Sequence, residues 1–198
     1  METSVSLIDW LFNQTMGRPS NRTARRREIL DAFARVLADH GFAGATMAAV
    51  AAEAALAPGL IHHHFESKGE LLECLLAELG SRFRTRLAHY ERDDDPLRAY
   101  VDAALKLDGQ ADVTAAKCWV SLFAEALRAP ALFDQMRRLI DTEIVVIERR
   151  SGQELDAHEA GAVLAYVIGA LVLGAFAPRK TAGFAAPGLH KLVAALRK

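Results

Sequence analysis

The chain has 198 residues, of which 52% are hydrophobic, and its formal net charge at pH 7 is only −1. This length and apolar content suffice for a buried core in one or two domains, and they exclude a disordered or fibrous protein. The two cysteines, Cys74 and Cys118, lie far apart and lack the spacing of metal ligands. Such cysteine usage is typical of the reducing cytosol, so we expect a cytoplasmic protein without a metal or a cofactor.

The first 22 residues form an extension that contains an apolar patch. Residues 1–16 carry two acids, Glu2 and Asp9, and no basic region, which argues against a secretory signal peptide. Either translation begins at Met16, just before a basic stretch, or the patch is a short docking segment. In the second case four apolar side chains would make the contacts: Leu7, Ile8, Trp10 and Leu11.

A run of arginines follows and leads into the first predicted helix. Residues 18–35 contain only two acids, Glu28 and Asp31, but six arginines: Arg18, Arg22, Arg25, Arg26, Arg27 and Arg35. An arm of this kind can reach DNA phosphates or the minor groove, so Arg26 is a candidate DNA contact. The alternative is that these arginines only solvate the start of a helix.

Residues 46–68 have the proportions of a helix-turn-helix. Met47, Val50 and Ala51 recur at the spacing of one face of a short helix. The hydroxyl of Thr46 can accept a hydrogen bond from the first free amides of that helix, as an N-cap does. Leu56 then falls in the turn as an apolar plug.

The second helix of this motif begins after Ala57. Pro58 is tolerated in its first turn, because the N–H that proline lacks has no intrahelical partner there. Three apolar side chains can dock this helix: Leu60, Ile61 and Phe65. The histidines at 62–64 are spread around its remaining surface. Ser67, with Glu70 three residues later, has the form of a capping box that starts a longer helix.

These features resemble the DNA-binding domain of TetR-family transcriptional regulators. The resemblance covers residues 23–83, with the motif at 46–65, and is carried in the family's order by Gly41, Phe42, Thr46, Val50, Ala51, Gly59, His63, Phe65, Lys68 and Leu71. The chain departs from the family pattern at Ala48, Ala55, Ala57, His62 and His64. Together with the arginine arm, the motif gives eight predicted DNA contacts: Thr46, Pro58, Gly59, Leu60, His62, His63, Lys68 and Arg26.

Beyond Phe83 the apolar periodicity is helical throughout, and the breaks between helices contain Pro, Gly or Asp. The predicted helices span residues 67–90, 97–107, 113–128, 131–150, 156–176 and 187–196. The predicted fold is therefore all-α, with a three-helix DNA-binding domain followed by a helical domain over residues 84–198. The resemblance implies that this second domain binds an effector and forms a dimer.

The segment 160–177 has eighteen residues without a charge, which meets the lower limit for a membrane-spanning helix, roughly 17 to 25 residues. It is only mildly apolar, and the resemblance implies a subunit-contact helix here. Small residues let a partner helix approach closely, and a symmetric dimer brings the same face against itself. The predicted contacts are Gly161, Ala165, Gly169 and Leu173, and a membrane span is the less favoured alternative.

The central helices carry two apolar stripes, and the family encloses its effector pocket between such helices. The predicted lining is Cys118, Trp119, Leu122, Phe123, Glu125, Met136 and Ile140. Residues 119–130 are also similar to the BetI-type subgroup of the family, whose named member senses choline. Glu125 and Glu143 are acids in apolar surroundings, and acids beside aromatic rings suit a cation. The alternative is that the stripes are only core and the acids lie at the surface.

The histidines at 62–64 do not predict a metal site. Successive helical residues lie about 100° apart, whereas metal ligands on one helix favour i, i+4 spacing. The sequence also lacks a phosphate-binding loop and a catalytic triad. The family resemblance implies a homodimeric repressor that a small molecule releases from a near-palindromic operator. The alternatives are a helical protein-interaction module without DNA binding and a small helical enzyme.

Overall fold

A computed structural model describes residues 21–91, 95–106 and 113–197. All regular structure in these ranges is α-helical, which confirms the all-α fold. The helices are α1 (Asn21–Gly44), α2 (Met47–Glu53), α3 (Pro58–His64), α4 (Lys68–Tyr90), α5 (Pro96–Leu105), α6 (Val113–Ala126), α7 (Pro130–Arg150), α8 (Ala157–Phe176) and α9 (Pro178–Leu196). The chain divides into two compact units between Ser81 and Arg82, so α4 contributes residues to both.

In the first unit, α1 packs against α2 and α3, because each helix turns an apolar side toward a shared core. The large side chains that are almost completely buried there are Ile29, Phe33, Leu37, Ile61, Phe65, Leu71 and Leu75. The regular path of α1 is interrupted at Gly41, where φ is 67° and ψ is 178°. Glycine adopts this positive φ without a Cβ clash, so the first helix breaks at the expected glycine.

The predicted caps of the first unit are largely confirmed. The Thr46 hydroxyl accepts a hydrogen bond from the backbone N–H of Ala49 at 3.1 Å, and Pro58 lies in the first turn of α3. At the start of α4, the Ser67 hydroxyl accepts from the Glu70 N–H at 3.1 Å. The second half of the predicted capping box is wrong, because the Glu70 carboxylate accepts from the N–H of Glu66 at 2.7 Å instead of from Ser67.

The turn between α2 and α3 is a Schellman motif built on alanine. The N–H of Leu56 donates to the Ala51 carbonyl at 2.9 Å, and the N–H of Ala55 donates to the Ala52 carbonyl at 3.1 Å. Ala55 occupies the position usually taken by glycine, with φ of 54°. The left-handed conformation costs a residue with a Cβ about 1 kcal/mol. The turn is nevertheless kept where the family pattern has its glycine.

The second unit is built around α5, in which Leu97 and every residue from 99 to 105 are buried. Helix α8 packs against α6, α7 and α9, while α9 also packs against α5. One carboxylate, that of Asp102, is buried within this packing. It lies 2.7 Å from Nε2 of His190 on α9 and 2.7 Å from Nζ of Lys106, so both of its oxygens have a partner.

The last helix begins at Pro178, and the prediction that it begins at Pro187 is wrong. A proline inside a helix loses one hydrogen bond and crowds the carbonyl of the residue four positions earlier. Here that residue is Gly183, and both Pro187 and Gly183 lie on the exposed side of α9. The opposite side is buried through Thr181, Ala185, Ala186 and Leu189. Burial of that side therefore keeps α9 continuous through the proline.

The other helices of the second unit start within one residue of their predicted positions. Helix α6 ends at Ala126, whereas the sequence predicted that it extends to Arg128, which lies in a turn. Helix α5 ends at Leu105, and its predicted last residue, Leu107, lies outside the described residues. The same holds for residues 1–20 of the extension and for the break predicted at 108–110.

A capping box that the sequence analysis missed fixes the start of α8. The Asp156 carboxylate accepts from the N–H of Glu159 at 2.9 Å, and the Glu159 side chain accepts from the N–H of Asp156 at 2.9 Å. Among the described helices, α8 is long and apolar enough to span a membrane, with a mean hydropathy of 1.9. It packs against three other helices, and core helices of soluble proteins share this length and hydropathy.

Candidate nucleic-acid interface

Helix α3 carries five of the eight residues predicted to contact DNA. Pro58, Gly59, His62 and His63 are exposed, whereas Leu60 is half-buried. Ile61 and His64 are buried and fix the helix to the first unit. One side of α3 is therefore free for a partner, and an α-helix with such a free side fits the major groove of duplex DNA.

His64 differs from its two exposed neighbours. It is only 8% exposed, and its Nδ1 atom has no hydrogen-bond partner among the described residues. Burial, followed by the nearby positive charges of His63, Arg22 and Arg26, lowers the pKa of His64 below its usual value. His64 is therefore held neutral at physiological pH and supports the fold, while His62 and His63 remain the histidines available to DNA.

Arg26 lies inside a network of the first unit. Its guanidinium lies 4.0 Å from the centroid of the Phe65 ring and donates to the carbonyl of His64. Its Nη2 atom donates to Oε1 of Glu70 at 3.0 Å and lies 3.5 Å from Sγ of Cys74. Burial raises the pKa of the Cys74 thiol, which keeps it protonated. The direct DNA contact of Arg26 stays a prediction, and no pattern in the sequence indicates this network.

Lys68 is held in a similar way at the start of α4. Its Nζ atom donates to the carbonyl of Phe42 at 2.8 Å and lies 4.0 Å from the centroid of the Phe42 ring. The cation therefore connects α4 to the end of α1, and part of its charge already interacts with protein groups. Contact of Lys68 with a phosphate stays a prediction.

The remaining arginines of the arm are mostly paired with acids. Among the described residues of the arm, Arg25 lies 2.6 Å from Glu28, while Arg27 pairs with Glu78 and Arg35 with Glu53 on other helices; Arg18 lies outside the described residues. These pairs are substantially solvent-exposed, so each contributes little to stability, about 0–1 kcal/mol. They also reduce the positive charge that the arm offers to DNA, whereas Arg22 is exposed and has no such pair in the described ranges.

The residues predicted to line an effector pocket lie on α6 and α7. Cys118, Leu122 and Met136 are buried, and Ile140 packs against the main core of the second unit. The partly exposed members are Trp119, Phe123 and Glu125, and the Trp119 and Phe123 rings lie 6.2 Å apart.

Two cavities in the second unit lie elsewhere. A groove of about 330 Å³ between α5 and α9 is lined by Asp95, Leu97, Arg98, Val101, His190, Val193, Ala194 and Arg197. A smaller apolar cavity of about 20 Å³ is lined by residues of α5, α6, α8 and α9. None of the seven predicted lining residues borders either cavity, so their role in effector binding stays a prediction.

An acid and two aromatic rings meet between α4, α5 and α7. The Tyr100 hydroxyl donates to Oε2 of Glu143 at 2.8 Å, and the Phe83 ring packs edge-on against Tyr100 with centroids 5.4 Å apart. Burial raises the pKa of Glu143, and burial together with the Glu143 charge raises the pKa of Tyr100 well above its usual value. The sequence pointed to Glu143 but missed Tyr100, since its partner lies 43 residues away in the chain.

One side of α8 exposes small and apolar residues. Ala165, Gly169 and Leu173 are exposed, and Leu173 retains 52% and Phe176 80% of their accessible surface. Gly161 is half-buried, and a Cβ on it would lie 3.9 Å from Ile144 of α7. The structure thus aligns three of the four predicted contact residues on a free face, and the contact itself stays a prediction.

The described residues hold no group of three His, Cys, Asp or Glu side chains arranged as metal ligands.

Residues 29–75 match the family model of bacterial regulatory proteins of the tetR family. The HTH-type transcriptional regulator BetI of Escherichia coli O45:K1 (strain S88 / ExPEC) is 30% identical to the chain over 163 residues. The matched region covers 78% of this chain and 83% of that protein.

Solved structures share this fold over most of the chain. A transcriptional regulator from Rhodococcus sp. Rha1 has a TM-score of 0.73 and 22% identity, covering 86% of this chain and 95% of that chain. A transcriptional regulator from Saccharomonospora viridis, solved in complex with choline, has a TM-score of 0.67 and 22% identity, covering 86% and 96%. The exposed α3, the matched family model and the BetI relative lead to one conclusion: the chain belongs to the TetR family of bacterial regulatory proteins and is a DNA-binding transcriptional regulator.

Proposed function

We propose that this regulator is a cytoplasmic homodimeric repressor that a small-molecule effector releases from a near-palindromic operator. The observation that carries the proposal is the exposed side of α3 on a first unit whose other helices form a packed core. The free face of α8 supports a dimer, because a twofold axis brings Ala165 and Gly169 of each subunit together. Two copies of α3 would then enter successive major grooves about 34–36 Å apart.

A gel-shift titration against the DNA upstream of the chain's own coding sequence tests this function. We expect two protomers to bind one duplex, with an affinity that falls steeply as salt increases, since lysine and arginine contacts to phosphates release counterions. A scrambled duplex of the same length is the control. Equal binding to both duplexes, or binding to neither, would contradict an operator at that position.

The chemistry around Glu143 supports a cationic effector. Its carboxylate accepts a hydrogen bond from the Tyr100 hydroxyl, the Phe83 ring packs against that tyrosine, and aromatic rings together with an acid attract quaternary ammonium groups. The choline complex of the Saccharomonospora viridis regulator and the BetI relative support the same class of effector. Choline is therefore the first effector to test.

Replacing Glu143 with glutamine should weaken choline binding by about tenfold, because it removes the negative charge but keeps the size of the side chain. The raised pKa of Glu143 means that its carboxyl gains a proton at higher pH than usual. We therefore also expect choline binding by the wild-type protein to weaken on acidification. Isothermal titration calorimetry of both proteins measures the two effects.

Asp141→Asn is the matched control, because it removes one negative charge from an exposed position of the same helix. This variant should bind choline as the wild-type protein does. Equal affinities of the Glu143→Gln variant and the wild-type protein, or no choline binding by the wild-type protein, would refute the cation site at Glu143.

The effector would act through α4, the helix that contributes residues to both units. Binding beside Phe83 would change the position of α4 and move the two DNA-binding heads of the dimer out of register. This is allosteric only if choline binds the free and the operator-bound states with different affinities. An interaction module leaves the match to DNA-binding regulators unexplained, and the same match gives no support to an enzyme, so we propose neither alternative.

A further inference from the structure

We infer that Arg26 and Glu70 are positioning residues for the recognition helix, and that Arg26 acts on DNA through α3 instead of through a phosphate. Arg26, Phe65 and Glu70, with the His64 carbonyl, are named here the Arg26 clamp. The inference rests on α3 being the helix that enters DNA, as proposed above. It predicts that substitutions in the clamp weaken DNA binding because they displace α3, not because they remove a phosphate contact.

The C-terminal end of α3 needs a hydrogen-bond donor from outside the helix. This helix has only seven residues, and a helix of this length has no stability of its own in water. Its last carbonyls have no intrahelical partner and require one from elsewhere. The guanidinium of Arg26 supplies a donor to the His64 carbonyl, the last of α3. Arg26 therefore fixes the end of α3 that immediately follows the exposed His62 and His63.

The face of the Arg26 guanidinium packs on an aromatic ring. It stacks 4.0 Å above the ring of Phe65, the residue that caps α3 and donates its N–H to the Ile61 carbonyl at 2.8 Å. A planar guanidinium can stack on a ring and donate in its own plane at the same time, whereas a lysine ammonium cannot. The contact therefore requires arginine and not merely a positive charge.

Glu70 connects the clamp to α4. Its carboxylate accepts from the Glu66 N–H at 2.7 Å and from Nη2 of Arg26 at 3.0 Å. The bond from Glu66, followed by the Arg26 interactions, lowers the pKa of Glu70, although burial acts in the opposite direction. Glu70 is therefore an anion at neutral pH, and it holds both Arg26 and the turn between α3 and α4.

A positioning role and a purely electrostatic role of Glu70 predict opposite effects on DNA affinity. Near a DNA backbone, removing an anion such as Glu70 strengthens binding if electrostatics alone decides. If Glu70 holds α3 in position through Arg26, its removal weakens binding in spite of the more favourable charge. Likewise, the Arg26→Lys variant could still contact a phosphate but could not form the clamp, so the two roles predict different affinities for it.

The test measures the affinity of the full chain for its selected operator by fluorescence anisotropy across a salt series, for the wild-type protein, Glu70→Gln, Arg26→Lys and Arg26→Gln. We expect each variant to bind about tenfold more weakly, with the salt dependence unchanged. The double variant Arg26→Gln/Glu70→Gln should be no weaker than either single variant, because both remove one network. Arg22→Gln is the control for an exposed arginine of the same helix.

Circular dichroism at the assay temperature must show full helicity, which separates positioning from unfolding. Hydrogen exchange gives a readout independent of DNA: the Phe65 amide should exchange faster in Glu70→Gln and Arg26→Lys. Unchanged exchange would overturn the clamp even if the wild-type protein failed to bind the duplex. Tighter or equal binding by Glu70→Gln would also overturn it. So would wild-type affinity in Arg26→Lys with a salt slope reduced by about 0.9 in Arg26→Gln, the signature of one phosphate contact.

Discussion

Replacing Ala165 with glutamate should convert the protein to monomers and weaken operator binding by about 100-fold or more. Ala165 lies on the free face of α8 with Gly169, where small residues allow a second helix to approach. A twofold axis would place two glutamates close together, and both would lose water without gaining a partner. Separate monomers then bind each half-site without the high effective concentration that the dimer provides.

Sedimentation velocity and fluorescence anisotropy measure the two parts of this prediction. Ala131→Glu is the matched control, because it places the same side chain at an exposed position in the first turn of α7. That position lies at a helix N-terminus, where an acid is tolerated well. An Ala165→Glu protein that remains a dimer with wild-type affinity would show that this face of α8 is not the subunit contact.

Replacing Phe65 with alanine should destabilise the first unit by about 3–5 kcal/mol, the range found for deleting a buried phenylalanine. The ring is 1% exposed, and it also forms the surface on which the Arg26 guanidinium stacks. A loss of this size is a large part of the 5–15 kcal/mol that stabilises a typical domain. Typical domains melt at about 45–65 °C, and a loss of this size lowers the melting temperature by roughly 10 °C or more. We therefore expect the first unit to be largely unfolded, and operator binding to be lost, near physiological temperature.

Thermal unfolding followed by circular dichroism measures this loss as a transition at lower temperature. Phe133→Ala is the control, because Phe133 keeps 46% of its surface exposed on α7 and its removal should cost only about 1–1.5 kcal/mol. Choline binding by the second unit should survive in the Phe65→Ala variant. An unchanged unfolding curve for that variant would contradict the position of Phe65 in the core.

The parts of the fold that the sequence predicted depend on neighbouring residues. The hydroxyl of Thr46 caps a helix that begins at the next residue, and Pro58 stands in a first turn, where a proline costs a helix least. The break at Gly41 likewise follows from the freedom of a single residue at positive φ. Such features are visible in the chain because cause and effect lie within four residues of each other.

The parts that the sequence missed depend on distant residues. Arg26 meets Glu70 across 44 positions and Tyr100 meets Glu143 across 43, so neither pair leaves a periodic pattern. The continuous helix through Pro187 has the same origin, since burial of its opposite side outweighs a local signal for a break. An arginine chosen as a DNA contact can therefore have its donors already engaged within the fold.

Selection of bound sequences from a library of random duplexes by the wild-type protein is the sharpest test of DNA binding by a symmetric dimer. We expect enrichment of an inverted repeat whose half-site centres lie about 10 base pairs or one further helical turn apart, matching the spacing of two α3 helices. We also expect that two protomers occupy each selected duplex. A library that stays random after repeated rounds at moderate salt, or a site without twofold symmetry bound by one protomer, would contradict the dimeric DNA-binding regulator described above.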